Sequence, residues 1–599
     1  MRLNTVANSE QKQPTLNAKL NYNRLLRIAI ISSALAISAC ASHKPMASLP
    51  ATQPTVNANA NNQLSAEFVY QYLVAEVAAQ RGDLATSSAV FYNLAKSSKE
   101  ASLAERAAKI AAYGKVPGLT IPAVKLWVEL APNSTEAQQT MTEIYIATGN
   151  LDEVKPHLSE LLIKEDTRAS GFLNLNNLLN KSPDKAATLK LVQTLAEPYP
   201  TLAEAQFAIA QAAYAAKKSD IALSSLDKAD TLKPGWNLAA LVKGQILFEQ
   251  SPALAISFYE EYLAKHPQVN EVRVNLTKIL ITQKQADAAK KQLPILLKYA
   301  DENKEKNAGQ MSALVAIFSM QLEDYAAAQR YFEQSIKLGN KESDQIYLYL
   351  AQIAEKQKNS KQAAEWYQKV QPDSAQYLQA QLGLATIIAN TQSADKAIAS
   401  LDEIDNLTTE QQIIVIQAQA NILAKAQRDK ESFELLDKTI KNMPNTPELV
   451  YDYALAAERV KKLDLMESEL RKVINAKPDF AAAYNALGYS FADRNTRLNE
   501  AMQLIEKALS ISPNDHYMID SLGWVHYRKG NLDKAIDLLQ RAYQYNQDPE
   551  IAAHLGEVLW KKGQHDEANK IWHEGLKTDP NNQTLKNTIK KFTKLPVEI

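Results

Sequence analysis

At 599 residues the chain is too long for one compact core, and length alone predicts about four domains. A repeat array escapes that count, because it grows without enlarging any single core. The 67 basic and 67 acidic residues balance, which argues against a nucleic-acid partner, and only 16 glycines argue against a turn-rich sheet protein. One cysteine, Cys40, excludes an internal disulfide and a cysteine-built metal site.

The first predicted element is an address. Arg24 and Arg27 precede the apolar run 28–39, IAIISSALAISA. This run is too short to span a bilayer, which takes about 20 helical residues, but it fits the apolar region of a secretory signal. It ends in Ile37-Ser38-Ala39-Cys40, which resembles the bacterial lipobox. The resemblance implies a lipoprotein signal peptide at 1–39 and cleavage before Cys40. It also implies lipid on the Cys40 sulfur and a fatty acyl chain such as palmitate on the new amino group. Two or three chains hold a protein stably, where one binds only marginally. In Gram-negative lipoproteins an aspartate after the cysteine favours the inner membrane. Ala41 stands there instead, which implies an outer-membrane anchor with the body in the periplasm. The 27 residues before the apolar run are long for such a signal. Removing residues 1–39, which carry five bases and one acid, leaves 62 bases and 66 acids, a net of −4.

Residues 41–63 are mostly Ala, Pro, Asn, Thr and Ser and cannot bury enough apolar surface to fold. Residues 40–63 are therefore expected to be a lipidated, disordered tether, spanning about 25–30 Å as a flexible coil. A spacer of selected length and a plain linker both remain open.

From 64 to 592 two amphipathic stretches alternate with short polar breaks. Gly488, Gly523 and Gly556 are 35 and 33 residues apart. Pro200, Pro234 and Pro267 are 34 and 33 apart, and Pro444, Pro478 and Pro513 are 34 and 35 apart. These spacings resemble the tetratricopeptide repeat, a 34-residue helix–turn–helix unit. The predicted fold is all-α, a right-handed superhelical solenoid of roughly fifteen such units, with 593–599 as a tail. A small residue in the first helix (A) of a unit, such as Ala351, Gly488, Gly523 or Gly556, lets the second helix (B) cross closely. Ala222, Ala255, Ala328, Ala363, Ala535 and Ala568 do the same from helix B. Leu226, Tyr259, Phe332, Tyr367, Leu539 and Trp572, four residues further on, fill the space between hairpins. Gly82-Asp83, Gly149-Asn150 and Gly530-Asn531 suit the turn between A and B. The charged run 301–310 predicts a longer loop, and 391–395 a loosened turn. The apolar face of 64–77 either docks a partner or caps the array.

No phosphate-binding, dinucleotide, nucleophile-elbow or zinc-protease pattern occurs. The chain is expected to be non-catalytic, with no metal and no cofactor beyond the lipid on Cys40. The late histidines His516, His526, His554, His565 and His573 show no metal-ligand spacing and are expected at the surface or in a groove. The repeat register places Asn485, Tyr489, Asp520, Trp524, Tyr527, Glu557 and Trp560 on the A-helix face that lines the groove. Such an aromatic, mildly acidic trough suits a peptide with apolar and basic side chains. The alternative is that Trp524 and Trp560 pack between hairpins. The lysine and asparagine pattern that grips a peptide carboxylate is absent.

Lipobox, tether and repeats together resemble a family of Gram-negative outer-membrane tetratricopeptide lipoproteins. The stretches FVYQYLVAEVAAQRGD (68–83), LWVELAPN (126–133), LGYSFADR, DSLGWVHYRKG and HLGEVLWKKG are similar to those of adaptor lipoproteins. In that family the adaptor brings a periplasmic carboxyl-terminal processing protease together with cell-wall hydrolase substrates. The resemblance implies protein partners, a membrane contact through the lipid, and no nucleic acid. Two alternatives stay open: a scaffold for polysaccharide or lipopolysaccharide export or for outer-membrane assembly, and an enzyme activity hidden in the divergent stretch 267–445.

Overall fold

The computed structural model describes residues 65–302 and 308–593. The expected signal segment, Cys40, the tether up to residue 64, and residues 594–599 lie outside the described residues. Among the described residues there are 31 helices and no strand, from Ala66–Gln80 to Gln583–Thr593. They form two compact units, 65–346 and 347–593. In each unit a helix packs chiefly on its neighbour in sequence, which makes hairpins, and the A helices of successive hairpins also touch. The fold is an all-α solenoid.

Local chemistry sets the helix ends. Ser65 opens the first helix, its hydroxyl accepting from the Phe68 N–H at 3.1 Å, and Asp83 opens the second by accepting from Thr86 at 3.1 Å. Each side chain satisfies an N–H that has no partner within the helix. Between A and B the chain must pass through the left-handed region. Gly82, Gly149 and Gly530 do so at φ +80°, +78° and +83°. Lys217, Lys284, Lys358 and Lys461 hold the same place at φ +58° to +66°. Lysine tolerates the conformation at a cost of about 1–2 kcal/mol relative to glycine, since its Cβ crowds the following carbonyl. The turn is fastened alike in both cases: Lys218 donates to the Ala213 carbonyl at 2.8 Å, as Asn531 does to His526 at 2.9 Å.

The core lies where A and B cross. Ala222, Ala255, Ala328, Ala363, Ala535 and Ala568 are all fully buried, as is Ala351. Leu226, Tyr259, Phe332, Tyr367, Leu539 and Trp572 are at most 5% exposed. The helix-A glycines face these large residues directly. A Cβ at Gly523 would lie 2.8 Å from Leu539 Cγ, and one at Gly488 would lie 2.7 Å from Ile505 Cγ1. At Gly556 it would overlap the Trp572 indole, and at Gly244 the Tyr259 ring. The glycine is needed for close approach rather than for backbone freedom, because these positions are helical.

Two expectations need correcting. The charged run 301–310 is not a loop throughout: the helix Ala286–Glu302 enters it and the next begins at Ala308, leaving 303–307 outside the described residues. The run ends in the uncharged Ala308, Gly309 and Gln310, which open the next helix, so polarity alone misplaced this boundary. The junction at 391–395 is tight. Thr391 stays helical with its hydroxyl on the Ile387 carbonyl, and the Ser393 hydroxyl caps the next helix by accepting from Lys396 at 3.2 Å. Pro156 and Pro294 lie inside helices, unlike the prolines that end helix B. The face Val69, Tyr70, Leu73 and Val77 of the first helix is 43–65% exposed.

Gly556→Ala should force Trp572 or helix B to move. Overpacking of this kind costs about 1–3 kcal/mol. Urea unfolding read by Trp fluorescence is expected to show that loss in the transition that includes 549–578, and little change for Gly563→Ala, whose Cβ would meet no atom within 4 Å, beyond the strain of its left-handed φ of +89°.

Candidate functional site

The seven residues expected to line a trough all lie on A helices of the unit 347–593: Asn485 and Tyr489 on Ala481–Asp493, Asp520, Trp524 and Tyr527 on His516–Arg528, and Glu557 and Trp560 on Pro549–Lys561. The register that places them is the helical one, in which residues four apart share a face. Three of them are buried, and Asn485, Tyr489, Tyr527 and Trp560 keep part of their surface exposed. Asp520, Trp524 and Glu557 are 6–7% exposed; the two carboxylates are bonded to neighbours, and the Trp524 indole nitrogen has no hydrogen-bond partner.

Tyr489, Asp520 and Trp524 converge on His554, which the sequence did not single out as a site residue. His554 Nδ1 lies 3.0 and 2.9 Å from the two Asp520 carboxylate oxygens. Its ring stacks on Trp524 with centroids 4.2 Å apart and planes 24° apart. Its Nε2 lies 3.5 Å from the Tyr489 hydroxyl oxygen. Burial alone would lower the His554 pKa, but the Asp520 carboxylate, with Glu550 and Glu557 beyond it, outweighs burial and pushes it up to about 9. The imidazole is a cation at neutral pH. Burial, with acidic neighbours beyond it, also raises the Tyr489 phenol, so it stays protonated.

A second group lies one turn further along. Tyr527 donates to Glu557 at 3.0 Å, and Lys591 of the last helix donates to the same oxygen at 3.2 Å. Trp524 also packs on Tyr527, centroids 4.9 Å apart. Trp560 stands aside: it stacks on His565 at 4.2 Å and packs against Trp572 and Phe592. Trp560 therefore packs inside its own hairpin and against the helix Gln583–Thr593. Asn485 is half-buried and its carbonyl oxygen has no hydrogen-bond partner. Of the other late histidines, His526 is buried and its pKa is lowered by that burial.

Earlier in the same unit the A-helix face is again polar and internal. Gln417 donates to Asp452 at 2.6 Å, and the Ser490 hydroxyl donates to Glu458. Burial holds the Asp452 carboxyl up at about 6 and raises Glu458 as well, against the pull of Arg459 and Arg494 respectively. The only signal for this ladder in the sequence is a polar residue recurring about 34 positions apart on a face that is otherwise apolar. Among the described residues no three His, Cys, Asp or Glu side chains come together as metal ligands. The arrangement offers hydrogen bonds, charge and aromatic surface rather than a nucleophile activated by a base.

Two family models match parts of the chain: tetratricopeptide repeat over 320–377, and anaphase-promoting complex, cyclosome, subunit 3 over 494–573. A TPR repeat-containing protein of Pseudomonas aeruginosa is 28% identical over 563 residues, covering 92% of this chain and 93% of that protein. The hairpins are tetratricopeptide-type repeats. The human mitochondrial import receptor subunit TOM70 is 24% identical over 167 residues, 27% of this chain and 28% of its own length. The crystal structure of yeast Tom70 covers 72% of this chain and 96% of its own, at 15% identity and a TM-score of 0.37. An array of this type is a protein-interaction scaffold.

Asp452 gives a signed pH dependence. Its folded pKa lies above the unfolded value near 4, so the folded state binds the extra proton and stability falls as pH rises from about 4 to 6. Asp452→Asn keeps an acceptor for Gln417 without the charge. Denaturant unfolding is expected to show it about 1–2 kcal/mol more stable than the parent at pH 8, with no difference at pH 3.5.

Proposed function

We propose that the chain is a non-catalytic adaptor, tethered by lipid on Cys40 to the outer membrane and facing the periplasm, that holds a processing protease and its cell-wall hydrolase clients together. The observation that carries the scaffold part is the succession of hairpins through the described residues. The stretch 267–445, the most divergent in sequence, consists of helices from Asn270–Thr282 to Asp429–Asn442 in its described residues. The raised carboxyl in that stretch, Glu355, owes its shift to burial and is bonded to Tyr367 of the following helix. That is a packing contact of one hairpin and not half of an acid–base pair.

An adaptor acts by raising effective concentration, so it needs two separable surfaces and no chemistry of its own. The chain has candidates for both. One is the part of the A-helix face of 481–561 that stays partly exposed, around Asn485, Tyr489, Tyr527 and Trp560. The other is the apolar stripe Val69, Tyr70, Leu73 and Val77, which follows the tether in sequence and stays exposed among the described residues. The lipobox supplies the location, and the tether of 40–63 supplies the reach.

The mature chain with Cys40→Ser, used to capture proteins from a periplasmic extract, is expected to recover a processing protease and cell-wall hydrolases together. Leu73→Glu is expected to lower recovery of one partner at least tenfold and leave the other. Recovery of export or assembly machinery instead would move the function to a scaffold of that kind. Labelled palmitate is expected to enter the parent chain in cells and not the Cys40→Ser variant; label in both would remove the anchor.

A further inference from the structure

In a solenoid each hairpin ordinarily contacts only its neighbours. The cross-hairpin pairs here follow that rule: Lys109–Glu136, Arg471–Glu500 and Lys181–Glu143 join residues 27, 29 and 38 apart. Tyr489 and His554 are 65 apart and belong to hairpins with a third between them. Their side chains meet over the middle A helix, His516–Arg528, whose Asp520 and Trp524 hold the imidazole from below. One side chain thus engages three A helices.

We propose that His554 is a charge-dependent latch that fixes the angle between the A helices Ala481–Asp493, His516–Arg528 and Pro549–Lys561. The imidazolium is what makes the cluster tolerable. Asp520 is 7% exposed, and further acids act on the two groups it shares the cluster with: Asp493, Glu550 and Glu458 on Tyr489, and Glu550 and Glu557 on His554. The other cations nearby are committed elsewhere. Lys591 is paired to Glu557, and the Arg528 guanidinium lies 6.0 Å over Trp524 with one nitrogen on the Asp493 carbonyl. The phenols Tyr517 and Tyr527 are bonded to Asp548 and Glu557 and stay neutral, their pKa values raised first by burial. On the helices 532–545 and 565–578, Asp533 pairs with Lys562 and His565 stacks on Trp560, six or more residues along from His554. Without its extra proton, His554 can still donate Nδ1–H to Asp520 but loses the positive charge that strengthens the bond. The stack on Trp524 weakens too, because a cation binds an indole face better than a neutral ring does. Tyr489 then has no charged partner drawing the first of the three helices toward the third.

The sign follows from the linkage. The folded pKa, about 9, lies above the unfolded value near 6.5, so the latch is fully fastened below pH 6.5 and is lost as pH rises through about 9. The latch is therefore closed throughout the neutral range and opens only in alkali.

Hydrogen exchange read by mass spectrometry on the mature chain with Cys40→Ser tests this, with rates corrected for the intrinsic effect of pH. In the parent, peptides from 481–493 and 516–528 are expected to exchange at least fivefold faster at pH 9.8 than at pH 7.5, while 84–113 is unchanged. His554→Gln is expected to show the fast rates already at pH 7.5 and no further rise. Tyr489→Phe, which leaves the Asp520–His554 pair in place, is expected to speed exchange in 481–493 alone, and it decides the matter if His554→Gln does not fold. A parent without the alkaline rise, or Tyr489→Phe indistinguishable from the parent in 481–493, would overturn the latch.

Discussion

The whole chain depends on one constraint: a two-helix hairpin cannot bury its own apolar face. Burial of a leucine or tryptophan is worth a few kcal/mol only if a neighbour covers it, so stability must be assembled from interfaces between hairpins. The interfaces are close because one partner at each crossing is small. Ala535 and Ala568 are fully buried against the A helices, and Gly523 and Gly556 take Leu539 and Trp572 across the same crossings. Removing either the small or the large member spoils the fit, by overpacking in one case and by a cavity in the other.

That construction leaves the A-helix face free for other uses, and in the unit 347–593 it is largely polar. Gln417–Asp452, Ser490–Glu458, Asp520–His554 and Tyr527–Glu557 each join one hairpin to the next. Buried polar pairs are weak sources of stability, since desolvation offsets much of the attraction, but they discriminate strongly between one geometry and another. The apolar crossings hold the hairpins together, and the polar ladder specifies the angle at which successive A helices meet. A binding surface spread across several hairpins needs that second property, because its residues come from different helices and must keep their spacing.

Much of this was legible in the sequence, and the parts that were not have a common cause. A 34-residue spacing of glycines, alanines and prolines reports the contacts within a hairpin and with its neighbour, so the crossings and the Gly82, Gly149 and Gly530 turns were read correctly. Lys217, Lys284, Lys358 and Lys461 occupy the same turn without its glycine, because the hydrogen bonds of the turn tolerate a strained residue, and no local pattern marks them. The seven trough residues lie on the expected helices, yet Asp520, Trp524 and Glu557 are buried rather than open to a groove. Whether Trp524 and Asp520 face solvent depends on what His554 does from the following hairpin, and whether Tyr489 reaches His554 depends on the rotation between hairpins. Neither quantity is written in the spacing of one repeat.

The most direct test of an interface-built fold is how far a local loss travels. Leu539→Ala removes a fully buried side chain from one crossing, a change that costs about 2–5 kcal/mol. Native-state hydrogen exchange across the full chain is expected to quicken most in 516–545, less in 481–511 and 549–578, and not at all in 84–148. Uniform acceleration over both units would contradict the account, because it would mean a single shared core rather than a series of neighbouring interfaces.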